Sequence, residues 1–414
     1  MQMHTPFLEH VVEIDQRPQA DAALGGFLLT RLLTRLARQP SPSADAIAYQ
    51  QRGLLGYLRE VGDSLPETTR IAAVAEAVDP ASPERCRAAV VPAALDYAFW
   101  LECELRLPEA VDLVETVERL SANETELRVG VLMQLARLRR LVGDHERAGA
   151  TYAAAGALAS EVGDAHNERL SRIGCAIVHQ KLGNLPESER VLRTVLADAR
   201  MASDVDAEAR ASHDLAVALA LRERFVEAIP LAFRASELHG EEPRRLRALS
   251  DLGTMLRHLG YHAAAEDAFA VVLAGSIGLE MEVPTMLELL DLAAVRADEA
   301  AFRQWRSAIE TCRDRLTPET AVEFEIVLGN GMALAGRPDE AEQHLTVAIE
   351  QAQHHRLGES LFRAESLLER VRADAVVGRE PAMRSPEEPD EVLEVARLLS
   401  DLRSRIDQQV PEPW

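Results

Sequence analysis

A short glycine turn recurs along the chain: Val142-Gly143-Asp144, Leu182-Gly183-Asn184, Leu259-Gly260-Tyr261 and Ala335-Gly336-Arg337. Five residues after each glycine stands a small side chain, Ala148, Ser188, Ala265 or Ala341. Self-similarity at a fixed period of this size is the mark of a stacked helical solenoid, in which each unit buries its apolar face only against its neighbours. With weaker copies admitted, the equivalent positions are Leu105, Gly143, Gly183, Glu223, Gly260, Ala297 and Gly336, spaced by 38, 40, 40, 37, 37 and 39 residues. These seven residues are called anchors below.

A pair of helices that cross closely needs small residues at the crossing and bulk on either side. Seven positions before the anchors stand Ala98, Ala136, Ala176, Ala216, Gly253, Leu290 and Gly329; eight before them stand Tyr97, Leu135, Cys175, Leu215, Leu252, Leu289 and Leu328. Five positions after come Ala110, Ala148, Ser188, Ala228, Ala265, Phe302 and Ala341. The sixth unit departs from the pattern twice, at Leu290 and Phe302.

The pattern resembles the tetratricopeptide repeat over about residues 88 to 355, with Gly253, Gly260, Ala265, Phe269 and Val272 of the fifth unit matching its small, Gly, Ala, aromatic and small-apolar series. The resemblance implies antiparallel helix pairs stacked into an all-α superhelical solenoid with a concave inner face. The period exceeds the common value of about 34, as in longer bacterial sensor and signalling solenoids. The expected organisation is an N-terminal helical cap over 1–42, a solenoid over 43–377, a Pro/Glu-rich linker over 378–389 and a C-terminal amphipathic helix over 390–414. Within the solenoid, helices over 46–62 and 67–78 would form an eighth, degenerate unit in which Gly56 imitates the small position, and residues 357–376 would add a last helix. Abundant Ala, Leu, Arg and Glu agree with helix throughout.

In the terminal helix, Val392, Val395, Leu399, Leu402 and Ile406 recur three or four apart as one apolar stripe. It either folds back on its own solenoid or serves as a dimerisation or docking helix, self-associating through residues 392–406.

A net charge of −23, from 68 acidic against 45 basic residues, argues against nucleic acid or a membrane surface as partner. No helix-turn-helix precedes the repeats, and the first 40 residues carry no basic recognition helix. No apolar run approaches the length of about 18 residues that spans a bilayer, and no leader-like segment opens the chain, so the cytoplasm is the expected location. Lys181 is the only lysine, which points to a GC-rich bacterial source. Cys86, Cys103, Cys175 and Cys312 lie far apart and read as thiols, with Cys103 and Cys175 expected to be buried.

No catalytic constellation stands out, so no catalytic role and no cofactor are expected. His258, His262 and Glu266 have a metal-like spacing, but the turn at Gly260 spoils their common face, so no metal is expected either. What does rise above background is the set of offsets that line the concave face in the resembled family, at thirteen, ten, six, three and two before the anchor. For the second to fifth units the basic and polar residues there are Arg137, Arg140, Gln180, Lys181, Arg210, His213, Arg247, Ser250, Thr254, Arg257 and His258, with Ile173, Ile177 and Val217 as apolar neighbours. No acidic residue occurs among them, whereas Glu102, Asp291 and Glu323 occupy such offsets on either side. Guanidinium groups on a concave wall would hold carboxylates or phosphates by paired hydrogen bonds. The expectation is therefore a non-catalytic protein- or peptide-binding adaptor that takes an acidic segment in a locally basic groove. The alternatives are a sensor for a signalling peptide or small anionic ligand that acts through a partner, arginines that merely pair with glutamates of neighbouring helices, and, least favoured, an enzyme with its site in the groove.

Overall fold

The computed structural model describes residues 4–13, 17–38, 43–62, 65–82, 85–276, 278–373 and 389–409. These residues are helical apart from short turns, with one 3-10 turn at Arg313–Arg315 and no strand among them. The chain divides into two units, Met1–Ala207 and Glu208–Trp414. Most of the expected linker, residues 378–388, lies outside the described residues.

The first unit contains α1 (Thr5–Glu13), α2 (Arg17–Leu36), α3 (Ala44–Val61), α4 (Pro66–Ala77), α5 (Arg87–Cys103), α6 (Leu107–Leu120), α7 (Thr125–Leu141), α8 (His145–Val162), α9 (Ala165–Lys181) and α10 (Leu185–Met201). The second begins in α11 (Val205–Ala220) and continues through α12 (Phe225–Leu238), α13 (Glu242–His258), α14 (His262–Gly275), α15 (Leu279–Val295), α16 (Glu299–Glu310), α17 (Pro318–Leu334), α18 (Pro338–His355), α19 (Gly358–Arg372) and α20 (Asp390–Gln409). From α5 on, odd-numbered helices through α17 are the first helix of a pair and even-numbered ones through α18 the second.

Every anchor falls between the two helices of a pair, and all seven have left-handed backbone, with φ between 57° and 82°. The physical reason is one helix stop used seven times. The amide after the anchor donates to the carbonyl five residues back: Arg106 to Leu101, Asp144 to Arg139, Asn184 to His179, Arg224 to Leu219, Tyr261 to Leu256, Asp298 to Ala293 and Arg337 to Met332, at 2.8 to 3.0 Å. This 6→1 bond recovers carbonyls that the helix end would leave unpaired, and it requires a left-handed residue beside it. Glycine takes that conformation freely, whereas Leu105, Glu223 and Ala297 take it against a side-chain penalty.

The small positions are buried. Ala98, Ala136, Ala176, Ala216, Ala110, Ala148, Ser188, Ala228, Ala265 and Ala341 are fully enclosed. In the fifth pair a Cβ on Gly253 would come within 2.6 Å of the Phe269 ring, and in the seventh a Cβ on Gly329 would come as close to Leu345. Gly56 differs from expectation, because a Cβ there would meet nothing within 4 Å. The close approach near the N-terminus is made instead by Gly26 on α2, whose Cβ would meet the Tyr97 hydroxyl at 2.6 Å and Phe7 at 2.7 Å. That seals one apolar core running from Phe7 of α1 to Leu138 of α7. Cys103 is exposed and Cys175 half-buried, against expectation, because Cys103 is the last residue of α5, beyond its packed face.

In the second unit the apolar stripe of α20 lies on α12 and α14, with Val392, Val395 and Leu399 buried. Arg403 of α20 reaches Asp267 of α14 at 3.8 Å. This face, one of the two sequence alternatives, is thus occupied within the same unit.

Candidate functional site

The offsets expected to line the groove bring successive first helices into contact, so many of their side chains bond across a repeat boundary. In the first unit, Arg137 on α7 holds Glu102 on α5 through Nε at 2.8 Å and a terminal nitrogen at 2.5 Å. Arg140, one turn on, pairs with the Tyr152 hydroxyl, and its Nε is buried without an acceptor. Ile173 is buried, Ile177 half-buried, Gln180 half-buried and engaged, and Lys181 exposed. Nearby, His166 and Arg169 of α9 converge on Asp204 at 2.9 and 2.7 Å. Burial works against the Asp204 carboxylate, but these bonds and the Ala207 amide outweigh it and lower its pKa.

In the second unit, Arg210 is half-buried and engaged, Val217 is half-buried and Arg247 is exposed. His213 bonds Asp251 of α13 at 2.7 Å. Burial disfavours its imidazolium, yet the hydrogen bond and charge of Asp251 prevail and its pKa is raised. The Ser250 carbonyl accepts from the Thr254 hydroxyl, which also approaches Glu288 at 3.2 Å. Arg257 lies 2.9 Å from Glu288 and 2.8 Å from Asp291, both on α15. Exposed His258 stacks on Phe225 with ring centroids 5.0 Å apart. Arg137, His213 and Arg257 are therefore matched by carboxylates of the adjacent first helix, which weakens a positive strip at these positions.

Further along the same unit a cavity of about 610 Å³ opens among α13, α15, α17 and α19. Its volume falls within the range of about 300 to 1,000 Å³ usual for small-ligand sites. Leu287, Ile326, Val327 and Leu367 supply apolar wall, and the ring of Phe362 lines it while remaining 71% exposed. The polar wall alternates in sign. Asp291 accepts from Arg257 and, at 3.0 Å, from Asn330; Glu323 takes Arg363 at 2.8 and 3.0 Å; and Arg370 has no carboxylate partner among the described residues. Burial, the largest influence, raises the pKa of Glu288. Of these residues only Arg257 was singled out from sequence. Asp291 and Glu323 stand at groove offsets but read as acidic borders, Asn330 shares the offset of Asp291 one repeat on, and Phe362, Arg363 and Arg370 lie on α19, beyond the last anchor and so without an offset to mark them.

Residues 323–345, from α17 into α18, match the family model described as tetratricopeptide repeat. The match spans one repeat, and the helix stops and enclosed small residues carry the same pattern through most of the others. The chain is a tetratricopeptide-type helical-repeat protein. A tetratricopeptide repeat protein from Parabacteroides merdae ATCC 43184 aligns over 68% of this chain and 98% of its own at 13% identity and a TM-score of 0.44. A Rap protein complexed with competence and sporulation factor aligns over 88% of this chain and 100% of its own at 12% identity and a TM-score of 0.44. Values this low say nothing of what the present chain binds. No curated protein matches it at a significant level.

Tetratricopeptide-type solenoids serve as protein-interaction scaffolds, with extended concave surfaces built from stacked helices. Among the described residues no His, Cys, Asp and Glu cluster is arranged to hold a metal, and no helix is long and apolar enough to cross a membrane.

Proposed function

We propose that the protein is a non-catalytic adaptor whose first-helix groove holds a short acidic segment of a partner protein or peptide. The observation that carries this reading is the cavity among α13, α15, α17 and α19, where the guanidinium of Arg370 has no carboxylate partner among the described residues beside the exposed ring of Phe362. A carboxylate on the incoming segment meets Arg370, and an apolar side chain beside it covers Phe362. The Arg363–Glu323 pair is half-exposed, and such pairs contribute only about 0 to 1 kcal/mol, so a ligand carboxylate can replace Glu323 at little cost. In the same reading Arg210, Arg247 and Arg257 contribute along the second unit.

The test is affinity capture with mass spectrometry, comparing wild type with an Arg363→Glu, Arg370→Glu variant shown by circular dichroism to keep its helix content. Partners lost only from the variant support the groove; identical partner sets refute it. A second reading, a sensor for a signalling peptide or small anionic ligand, draws on the cis docking of α20 against α12 and α14. It requires a ligand that raises the melting temperature and alters protease access to α20, whereas an adaptor without its partner shows neither change.

A further inference from the structure

The arginines of the N-terminal hairpin behave differently from the rest. Residues 17–59 contain six arginines, Arg17, Arg31, Arg35, Arg38, Arg52 and Arg59, against only Asp21 and Asp45, in a chain whose net charge is −23. Among the described residues none of the six is in an ion pair, although from Arg87 onward most arginines between α5 and α19 are. Arg59 donates to the Leu55 carbonyl within its own helix, and Arg31 lies over the Phe27 ring at 5.5 Å. Neither contact neutralises charge.

Two of these arginines share a pocket. Between α2 and α3 a cavity of about 410 Å³ is lined by Arg31 and Leu28 from one helix and by Tyr49, Arg52 and Leu54 from the other, together with Gln50 and Gly53. No carboxylate lines it. Leu54 forms an apolar floor, the Tyr49 ring is 76% exposed at the mouth, and Gln50 Oε1 is buried without a donor. Gly53 leaves the wall open, since a Cβ there would meet nothing within 4 Å. Two guanidinium groups over an apolar floor fit an anion that carries an apolar neighbour: the cations take the charge in forked hydrogen bonds, and the floor and the Tyr49 ring take the hydrocarbon. A peptide with neighbouring acidic and apolar side chains supplies both parts, whereas a phosphodiester backbone supplies only the charge.

We propose that the pocket between α2 and α3 is a second docking site, separate from the groove, for an acidic peptide segment that places one carboxylate between Arg31 and Arg52 and an apolar side chain on Leu54 and Tyr49. The concentration of uncompensated arginine here also steers such a segment to this hairpin, against the negative field of the whole chain.

The experiment measures fluorescence anisotropy of a labelled six-residue peptide of alternating glutamate and phenylalanine, titrated with the full chain at low salt. Arg31→Gln, Arg52→Gln changes only exposed side chains and keeps good helix formers, and its circular dichroism melt is measured alongside. Expected are saturable binding by wild type, a dissociation constant at least tenfold weaker for this double variant, and a weakening of about threefold for Tyr49→Ala. The titrations are repeated in an Arg363→Glu, Arg370→Glu background, where the groove no longer competes for the peptide, and the same tenfold loss on adding Arg31→Gln, Arg52→Gln is expected there, so failure here is separable from failure of the adaptor reading. The proposal is overturned if wild type does not bind, if the double variant binds equally well, or if a glutamine-for-glutamate peptide competes equally. It is also overturned if a labelled oligothymidylate binds more tightly than the peptide, which makes the patch a nucleic-acid surface. Light scattering that shows a wild-type dimer lost in the double variant overturns it in favour of a second copy as occupant.

Discussion

The fifth and sixth repeats sit next to each other, yet one follows the family pattern and the other breaks it. In the fifth, Gly253 on the first helix makes room for Phe269 of the second. In the sixth, the small position holds Leu290, and Phe302 occupies a site where every other repeat has alanine or serine. The structure shows where the missing space went. A Cβ on Gly331, in the next first helix, would lie 2.5 Å from the Phe302 ring. The aromatic knob and the glycine hole are both present, but the hole has moved across the repeat boundary. What the stack requires is a close-packed junction, and the sequence position that supplies the glycine is free to migrate.

The largest effect tests the hole inside the fifth repeat. Gly253→Leu drives a branched side chain into Phe269 and is expected to cost about 3 kcal/mol in urea unfolding, at the upper end for overpacking, with Phe269→Ala in the same chain restoring part of it. A loss below about 1 kcal/mol would remove the basis of the comparison. Next, Phe302→Ala empties the displaced hole. Because the ring is only half-buried, the expected cost is about 2 kcal/mol, below the 3 to 5 typical of a fully enclosed aromatic. Gly331→Leu should be at least as harmful as Phe302→Ala, and a neutral result there would break the knob-and-hole correspondence.

The turns sharpen the contrast further. Ala297 ends the first helix of the sixth repeat at φ 57°, where the fifth has Gly260 at φ 81°. Ala297→Gly is expected to raise stability by about 1 kcal/mol and Gly260→Ala to lower it by a similar amount, read as opposite shifts in thermal midpoint. The smallest effect concerns how the fifth repeat is joined to its predecessor. The pKa of His213 is raised, so its bond to Asp251 contributes fully below the ordinary histidine value of about 6.5 and fades as pH rises through the folded-state value. The stability difference between wild type and His213→Gln should therefore be greater at pH 6 than at pH 8.5, by up to about 1 kcal/mol. An equal difference at both would mean that folding leaves the imidazole's pKa at its ordinary value.

Much of the scaffold was legible in the sequence because helix stops are local chemistry. Even Leu105, Glu223 and Ala297, which carry no glycine signal, were placed by spacing and prove left-handed. The site was less legible for a geometric reason. A residue three before one anchor meets the residue six before the next, as Glu102 meets Arg137 and Arg257 meets Asp291. Read one repeat at a time, these offsets form an open basic strip; read across the boundaries, two of the six junctions match acid to base, Glu102 with Arg137 and Arg257 with Asp291. The cavity residues on α19 had no anchor to mark them. The arginines of α2 and α3 lie upstream of the first anchor and so carry no groove offset.

The same boundary pairing makes the repeats addressed rather than interchangeable. Removing one whole period between Gly260 and Ala297 would leave the six remaining helix stops in register, yet it would set Arg257 against Val327 and Asn330, the counterparts of Glu288 and Asp291 in the following repeat. The shortened chain would keep its repeat rhythm and lose a charge match at the splice. An array of this kind therefore accepts the loss or gain of a unit only when the side chains at the new junction are rewritten with it.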